Sequence, residues 1–347
     1  MDALLNDVHF GHRKGSNWHR ESLLRFFYEQ FIPELKEKKI ENVWMLGDLF
    51  ENRHSVTYSL IDDVKLVLQE IAKAISGKVY LLVGNHDLKY KNDMTNHNFS
   101  SYEDIPNLEV LVGKGVMTLG NYKLAWCSYD IEDTNILNFL KKSKADIFFG
   151  HLETTGYNVI KYINENMTAG YSGHIHQHEI HGNFQYLPST QQNATDEVDS
   201  IHGYSLIDWE TGAHEMVDNR VSGKFKTICF GTNFTEEDIF NNYITMEIDK
   251  ILVKKLSTRK VQQDFLISEF IAKVKSFKPS HVFDTAYIDS SVEKFERDME
   301  GIKKIETNIE NKSDFDADIL RIAYEHTEMY ADETIAEIQE FMNVGRN

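Results

Sequence analysis

Five short motifs of aspartate, asparagine and histidine are spaced through the first half of the 347-residue chain. In chain order they are Asp7-Val8-His9, Gly47-Asp48, Gly84-Asn85-His86-Asp87, Gly150-His151 and Gly173-His174-Ile175-His176. Their carboxylate, amide and imidazole groups suit manganese, iron or zinc. A structural zinc site is disfavoured because no thiolate accompanies them. The motifs therefore predict a metal site with a role in chemistry.

Taken singly, each motif also has an ordinary structural interpretation. A lone Asp-x-His is more often a helix cap or a surface pair, and Gly-Asp after a strand is usually a turn. The histidines of Gly-His-x-His could alternate on a solvated strand face. A chance origin is much less plausible for the ordered set. Two metals need a bridging carboxylate and several further ligands, and the set supplies seven candidates.

An alternation of short apolar runs and longer amphipathic segments must position these motifs. Buried strands are predicted at residues 3–6, 42–46, 78–83, 109–112, 123–127 and 145–149. Apolar residues at helical spacing predict helices that include residues 23–35 and 61–71. This order predicts an α/β fold with at least a partly parallel sheet. Four motifs directly follow a predicted strand, and ligands of such sheets gather at the carboxyl ends of strands.

The composition excludes several classes of protein. Hydrophobic residues make up 41% of the chain, which allows a sizeable core. The net charge of −18 argues against coating nucleic acid or a membrane by bulk charge, but leaves a local basic face open. Two cysteines, Cys127 and Cys229, cannot build a disulfide framework. Without a signal-peptide pattern or a membrane-length apolar run, we expect a soluble, cytoplasmic protein without membrane contacts.

The ordered motifs resemble the signature of calcineurin-like metallophosphoesterases over residues 7–176, about half of the chain. The resemblance implies a β-sandwich flanked by helices. It also implies a site that binds two divalent metal ions, and manganese is the expected metal. It implies that one metal is held by Asp7, His9, Asp48 and His176. It implies that the other is held by Asp48, Asn85, His151 and His174, with Asp48 shared. His86 matches the family's general acid, which protonates the leaving oxygen or stabilises the scissile phosphate.

Within this superfamily the chain most resembles SbcD-type recombination nuclease subunits, including their phage versions. Gly47-Asp48-Leu49-Phe50 followed by Glu51 is similar to their G-D-h-F-[DE] motif, although some members place a histidine at the last position. The segment 186–190 resembles the one after their G-H-x-H motif, ahead of a strand near 203–208. The resemblance implies a DNA exonuclease or endonuclease of recombination and repair. It would work with an SMC-like ABC ATPase, in the host cytoplasm if phage-encoded, and a homodimer is left open.

A shift in composition near residue 220 divides the chain into three predicted parts. They are a metallophosphoesterase domain (1–222), a smaller α+β capping domain on DNA (223–305) and an acidic linker with partner-docking helices (306–347). The last part has a net charge of −8 and two apolar stripes. These stripes suit docking on the ATPase, with ordinary packing inside the chain as the alternative.

Residues 250–280 have a net charge of +6, which makes them a candidate DNA-binding surface. The candidate contacts there are Lys254, Lys255, Arg259 and Lys260, with Arg53 and His54 as further candidates near the metals. The alternative for 250–280 is a solvated face of an amphipathic helix that buries Val261, Phe265, Ile267 and Phe270.

Two other functions stay open at this point. One is a different phosphoesterase, either a phosphoprotein phosphatase or a small-molecule phosphodiesterase, which would not need the extension beyond residue 220. The other is a non-catalytic interaction subunit with a vestigial metal site, which would usually have lost at least one ligand.

Overall fold

The computed structural model describes residues 1–90, 93–130, 132–153, 157–194, 197, 200–239, 242–256, 258–277 and 283–288. Within them the chain separates into one unit, Met1–Lys224, and a second unit that begins at Phe225. The predicted docking part, 306–347, lies outside the described residues. The division into three parts therefore stays a prediction.

The first unit alternates strands and helices along most of its length. Its strands are β1 (Asp2–Leu5), β2 (Val43–Met45), β3 (Val79–Leu82), β4 (Leu88–Tyr90), β5 (Asp93–His97), β6 (Leu108–Leu111), β7 (Lys114–Leu119), β8 (Tyr122–Cys127), β9 (Ile147–His151), β10 (Ala169–Gly173), β11 (Glu179–His181), β12 (Phe184–Tyr186), β13 (Gly203–Ile207) and β14 (His214–Asp218). Its helices are α1 (His12–Gly15), α2 (Asn17–Arg25), α3 (Ile32–Glu37), α4 (Tyr58–Ala74), α5 (Asp133–Ser143) and α6 (Tyr157–Asn166). A π-helical segment, Phe26–Phe31, joins α2 to α3, and Asn98–Tyr102 forms a 3₁₀ turn.

Among the described residues of this unit, the strands form two six-stranded sheets and a β4–β5 hairpin. The first sheet has the order β14-β13-β1-β2-β3-β6, with β1, β2, β3 and β6 parallel. The second has the order β11-β12-β10-β9-β8-β7, with β8, β9, β10 and β12 parallel. The predicted α/β fold with parallel strands is confirmed.

Alternating side chains divide the core of this unit into three apolar layers. The layer to which both sheets contribute includes Leu4, Trp44, Leu82, Ile147, Phe149 and Tyr171. Ala3 and Leu5, on the opposite face of β1, pack with side chains of α2 and α4 such as Leu23 and Val64. Phe148 of β9 packs likewise with Ile136 of α5 and Val159 of α6. Helix, sheet, sheet and helix layers therefore enclose the strands and hold their ends in place.

The sequence located the strands but not their distribution between sheets. Each of the six predicted strands occurs with its ends within two residues of the expected positions. Strands β1, β2, β3 and β6 belong to the first sheet, whereas β8 and β9 belong to the second. Apolar runs report burial, and a strand is equally buried in either sheet of a covered sandwich.

The second unit contains both strands and helices. Its elements are β15 (Phe225–Cys229), α7 (Glu236–Ile239), β16 (Tyr243–Asp249), α8 (Lys250–Leu256), α9 (Lys260–Phe277) and β17 (Phe283–Ile288). In the described part of the unit, β15, β16 and β17 form a parallel three-stranded sheet. Its core includes Ile228, Ile244, Met246, Val253, Phe270 and Val274.

The alternative interpretation of residues 250–280 is wrong about the buried face of α9. Phe270 is buried and Ile267 is partly buried, as that interpretation required, but Val261 is 81% exposed and Phe265 is 59% exposed. The core contacts the face that carries Phe270 and Val274, one turn apart. At 100° per residue, Val261 lies on the opposite side of the helix from Phe270.

Across the described residues of both units, no helix is long and apolar enough to cross a membrane.

Candidate active site

The five motifs converge where parallel strands of both sheets end. Asp7 and His9 follow β1, Asp48 follows β2 and Asn85 follows β3, three neighbouring strands of the first sheet. In the second sheet, neighbouring strands carry the other histidines, with His151 at the end of β9 and His174 and His176 just after β10.

Backbone hydrogen bonds join the loops that carry Asp7, His9 and Asp48. The Asp7 amide donates to Gly47 O at 3.1 Å, and the His9 amide donates to Asp48 O at 3.0 Å. A β-bridge between Phe10 and Phe50 continues this pairing beyond the sheet. These backbone contacts hold the main chain of Asp7, His9 and Asp48 in place.

One group of side chains, called here the first group, consists of Asp7, His9 and His176. One ligand-type atom from each lies within 4.8 Å of the others. The Nε2 atoms of His9 and His176 are 3.0 Å apart, and His9 Nε2 is 3.8 Å from Asp7 Oδ1. Asp7 and His9 are buried, whereas His176 is half-buried.

The second group consists of Asp48, His151 and His174, whose ligand-type atoms also lie within 4.8 Å of one another. His151 Nε2 is 3.4 Å from Asp48 Oδ2. Asn85 completes this group, because its Oδ1 lies 2.9 Å from both His151 Nε2 and His174 Nδ1. All seven candidate ligands therefore lie together.

Asp48 stands between the two groups. Its Oδ2 lies 3.8 Å from His9 Nε2 and 3.4 Å from His151 Nε2, while its Oδ1 accepts a hydrogen bond from the His86 amide at 2.8 Å. Burial alone would raise the pKa of Asp48, but His151, His9 and His86 outweigh burial and hold the pKa well below its usual range. The group is thus an anion whose free oxygen faces both groups.

Among the atoms of the second group that face one another, hydrogen-bond acceptors outnumber hydrogen-bond donors. A cation bound between them would satisfy the unpaired acceptors. His151 Nδ1 donates to Leu46 O at 2.8 Å, so Nε2 is the nitrogen that faces Asn85 Oδ1 and Asp48 Oδ2, and it presents a lone pair there when the ring is neutral. If the oxygen and nitrogen of the Asn85 side-chain amide exchanged places, the nitrogen would donate to His151 Nε2, His174 Nδ1 and Asp48 Oδ2. The oxygen would then accept from the Arg53 guanidinium at 3.2 Å. With the Asn85 oxygen inward, a bound cation would satisfy these acceptors. The residues present fit two divalent ions.

The electrostatics of the buried histidines favour positive charge in both groups. Burial lowers the pKa of His9, but Glu51, Asp48 and Asp7 outweigh it and raise the pKa to about 9. In the same way, Asp48 overcomes burial and raises the pKa of His151 to about 9. The negative charge of these carboxylates stabilises a protonated imidazole. The same charge would attract a metal ion to the site.

Four residues of the site have a backbone conformation that is rare for residues other than glycine. Asp7, His9, Asp48 and His174 have φ of 48°, 52°, 52° and 87°, in the left-handed region that non-glycine residues usually avoid. Such strain clusters at functional sites, where the surrounding structure imposes it. Close packing adds a further restriction, because a Cβ on Gly84 would lie 2.2 Å from Asp48 Oδ1.

His86 lies beside the two groups, and one of its ligand-type atoms is also within 4.8 Å of such an atom in His9 and in Glu51. Its Nδ1 lies 2.6 Å from the Glu51 carbonyl oxygen, and its ring centre is 5.1 Å from that of His9. The hydrogen bond to the carbonyl orients the ring and leaves Nε2 as the nitrogen that can exchange a proton. The general-acid role of His86 stays a prediction that this geometry permits.

Several residues near the site were missed or undervalued by the sequence reasoning. Asp87 accepts from the Gly84 and Phe50 amides at 2.9 and 3.1 Å, which ties the loop after β3 to the loop after β2. Burial and Asp48 raise the pKa of Asp87 to about 7. Its only sequence signal is its place at the end of Gly-Asn-His-Asp. Glu197, which contacts His176, had no signal at all.

The segment 186–190, singled out by resemblance, supports the loop of Asp7. Asn6 Nδ2 donates to Leu187 O at 2.8 Å, and Thr190 Oγ1 donates to Asn6 O at 3.2 Å. The His174 amide in turn donates to Asp7 Oδ2 at 2.9 Å. The carboxylate of Asp7 is therefore held in place by both sheets.

The candidate DNA contacts fall in two places. Arg53 and His54 line a polar pocket of about 300 Å³ beside Phe50, together with Ser55, His97, Asn98, Ser100, Ser101 and Tyr102. The four basic candidates of residues 250–280 belong to the second unit. Lys254, Arg259 and Lys260 are exposed, and the side chain of Lys255 lies outside the described residues. Their contacts with DNA stay predictions.

Comparisons with known proteins agree with the motif resemblance. The sequence model for calcineurin-like phosphoesterases matches residues 3–178, just over half of the chain. Exonuclease subunit 1 of Enterobacteria phage T4 is 24% identical over 268 residues, which cover 72% of this chain and 78% of that protein. Metallophosphoesterase 1 of Danio rerio is 32% identical over 80 residues, 22% of this chain and 21% of that protein.

A solved structure of an archaeal phosphodiesterase is similar over 62% of this chain and 98% of its own. Its sequence identity is 10% and its TM-score is 0.36, so the similarity carries no argument about function.

Proposed function

Since this chain belongs to the calcineurin-like phosphoesterase family, we propose that it is a metal-dependent nuclease that hydrolyses the phosphodiester bonds of DNA. The observation that carries the proposal is the position of Asp48 Oδ2, within 4 Å of a histidine nitrogen from each group. That position suits one carboxylate shared by two cations. The relative that is similar over most of the chain is named an exonuclease subunit, which favours DNA among phosphodiesters.

The residues of this chain would have two tasks in the reaction. Seven would bind the metal ions, and His86 would transfer a proton. Two divalent cations, for which we propose manganese, would be held by Asp7, His9, Asp48, Asn85, His151, His174 and His176. When bound, they would activate water and offset the charge of the phosphate. His86 would donate a proton to the leaving oxygen, with its ring oriented by the Glu51 carbonyl. Asp87 would hold the loop that carries Asp48 and the loop that carries His86 in fixed positions relative to each other.

A substrate comparison tests this proposal directly. The full chain would be incubated with Mn²⁺ and end-labelled duplex DNA, single-stranded DNA, a phosphoprotein or bis(p-nitrophenyl) phosphate. We expect cleavage of DNA and of the small phosphodiester, both abolished by chelation. Hydrolysis of the phosphoprotein without DNA cleavage would favour a phosphatase instead. No hydrolysis of any substrate, with metal bound, would favour a vestigial site.

A net charge of −18 is compatible with DNA binding if the contacts are local. Reversing the charges of Lys254, Lys255, Arg259 and Lys260 is expected to weaken DNA binding and flatten its salt dependence, by about one unit of log–log slope for each lost phosphate contact. Fluorescence anisotropy across a salt series measures this slope. Hydrolysis of bis(p-nitrophenyl) phosphate should not change.

A control for this variant is available at the end of α5 and in the residue that follows it. Reversing Lys141, Lys142 and Lys144, which are also exposed, changes three charges of the first unit. We expect this control to retain the wild-type salt slope. If the four-residue variant also keeps that slope, DNA follows another surface.

We further propose a role in recombination and repair with an SMC-like ABC ATPase, docked through residues 306–347. Support comes from the apolar stripes of that part and from the word subunit in the name of the phage relative. Ile335→Asp and Phe341→Asp are each expected to abolish co-purification with the ATPase, because each would bury an unpaired charge at about 3–5 kcal/mol. Metal-dependent cleavage of single-stranded DNA should persist. Retained co-purification in both variants would exclude docking through these stripes.

A further inference from the structure

Two carboxylates stand behind the histidines of the first group. Glu51 Oε2 lies 2.8 Å from His9 Nδ1, and Glu197 Oε1 lies 3.0 Å from His176 Nδ1. The Glu197 contact is a hydrogen bond that places a proton on His176 Nδ1 and leaves Nε2 to face the site. At His9 the contact with Glu51 is an ion-pair contact whose angle is not that of a hydrogen bond, and its negative charge favours a proton on Nδ1 there too. The two Nε2 atoms are the ones that face each other at 3.0 Å. The carboxylates therefore set both rings in the form and orientation that bind a metal.

These carboxylates are themselves linked into one network. Glu51 Oε2 also lies 3.1 Å from His12 Nδ1, and His12 Nε2 donates to Asn193 O at 2.7 Å. The backbone N–H of Asn193 in turn donates a hydrogen bond to Glu197 Oε2 at 2.7 Å. Glu197 is only 5% exposed, so water competes little for its hydrogen bonds. An arrangement held from several sides loses little entropy when a metal ion binds.

In the part of the chain that the structure describes, no carboxylate contacts Nδ1 of His151. Nδ1 of His151 donates to the neutral backbone carbonyl of Leu46 at 2.8 Å. An ionised acceptor makes a hydrogen bond roughly twice as strong as a neutral one. It also makes the opposite imidazole nitrogen a stronger base and a better metal ligand.

We propose that the two cation positions differ in affinity, that the first group binds the tighter cation, and that Glu51 and Glu197 are the positioning residues responsible. This inference rests on the proposed assignment of the seven ligands. It extends that assignment by giving the order in which the positions fill. At limiting metal, the protein holds one ion between Asp7, His9, Asp48 and His176.

Calorimetric titration of the full chain with Mn²⁺ tests this order without any measurement of activity. We expect two resolved binding events in the wild type. Glu197→Gln should weaken the tighter event by about 10–100-fold, the usual effect of removing such a partner, and leave the weaker event nearly unchanged. Glu51→Gln should act in the same way. Electron paramagnetic resonance at one equivalent should show an isolated Mn²⁺ ion, with coupling between ions only at two equivalents.

Glu153→Gln is the matched control. Glu153 accepts from Tyr129 Oη at 3.2 Å, and the Tyr129 ring lies 6.0 Å from that of His174, next to the second group. The substitution removes the same charge near the site without touching a histidine of the first group. We expect the tighter event to be unchanged, which separates ring positioning from a general loss of negative charge.

Equal affinities in the wild type would overturn the proposal. So would an equal weakening of both events in Glu197→Gln and Glu51→Gln, or a loss in Glu153→Gln as large as theirs. If Glu197→Gln melts early without metal, Glu51→Gln decides, because the Glu51 side chain is 28% exposed and more tolerant of change. Because no nucleic acid is present, the result is independent of whether DNA is the substrate.

Discussion

Replacing Asp48 with asparagine is expected to abolish phosphodiester hydrolysis and to weaken the binding of both cations. Its Oδ2 is the atom that lies near His9 and His151 together, so a single substitution affects both groups. Asparagine would keep the shape and lose the charge shared between two ions. We expect kcat to fall by more than about 10³-fold, because transition-state stabilisation at both ions is lost. The measurements are hydrolysis of bis(p-nitrophenyl) phosphate and calorimetric titration with Mn²⁺.

Asp63→Asn provides the control for Asp48→Asn. Asp63 is a partly buried carboxylate that pairs with Arg20 and contacts neither group. Its substitution should change stability slightly and leave metal stoichiometry and kcat near wild type. If Asp48→Asn binds two cations with wild-type affinities, Asp48 is not shared between them.

His86→Ala is expected to slow cleavage by about 10²–10⁴-fold while both cations remain bound, which is the usual effect of losing a general acid. The size of the effect should depend on the leaving group. A p-nitrophenolate departs without a proton, whereas a deoxyribose alkoxide needs one. The loss should therefore be larger with DNA than with bis(p-nitrophenyl) phosphate. Kinetics with the two substrates, beside metal titration, measure this difference.

His178→Ala is the control for His86→Ala, since His178 lies two residues after the predicted ligand His176 but hydrogen-bonds Gln185. It should behave as wild type in both assays. Loss of a cation in His86→Ala would mean that His86 is a ligand and that another group supplies the proton.

Much of the arrangement could be predicted from residue types and their spacing. The apolar runs gave the strands because burial on both faces selects continuous hydrophobic stretches. Motifs placed directly after those runs were expected to meet, and the contacts of Asp48 with His9 and His151 agree with that expectation. The structure brings all seven predicted ligands together, although their binding of metal stays a prediction.

The remainder depends on features that a sequence pattern does not encode. The left-handed conformations of Asp7 and His174 follow from how the loops pack, since glycine would be expected at such positions. Glu197 lies 21 residues from His176 in the chain and has no flanking motif. The exposed position of Val261 on α9 follows from which helix face the second unit covers. Each of these is decided by tertiary packing rather than by local spacing.

Anomalous diffraction from crystals of the full chain grown with Mn²⁺ is the most direct measurement of the site. We predict two peaks about 3.5–4 Å apart, the spacing of ions that share a carboxylate. One should lie between Asp7, His9, Asp48 and His176, and the other between Asp48, Asn85, His151 and His174. A single peak under saturating metal, or peaks at other side chains, would contradict a dinuclear centre built from these seven residues.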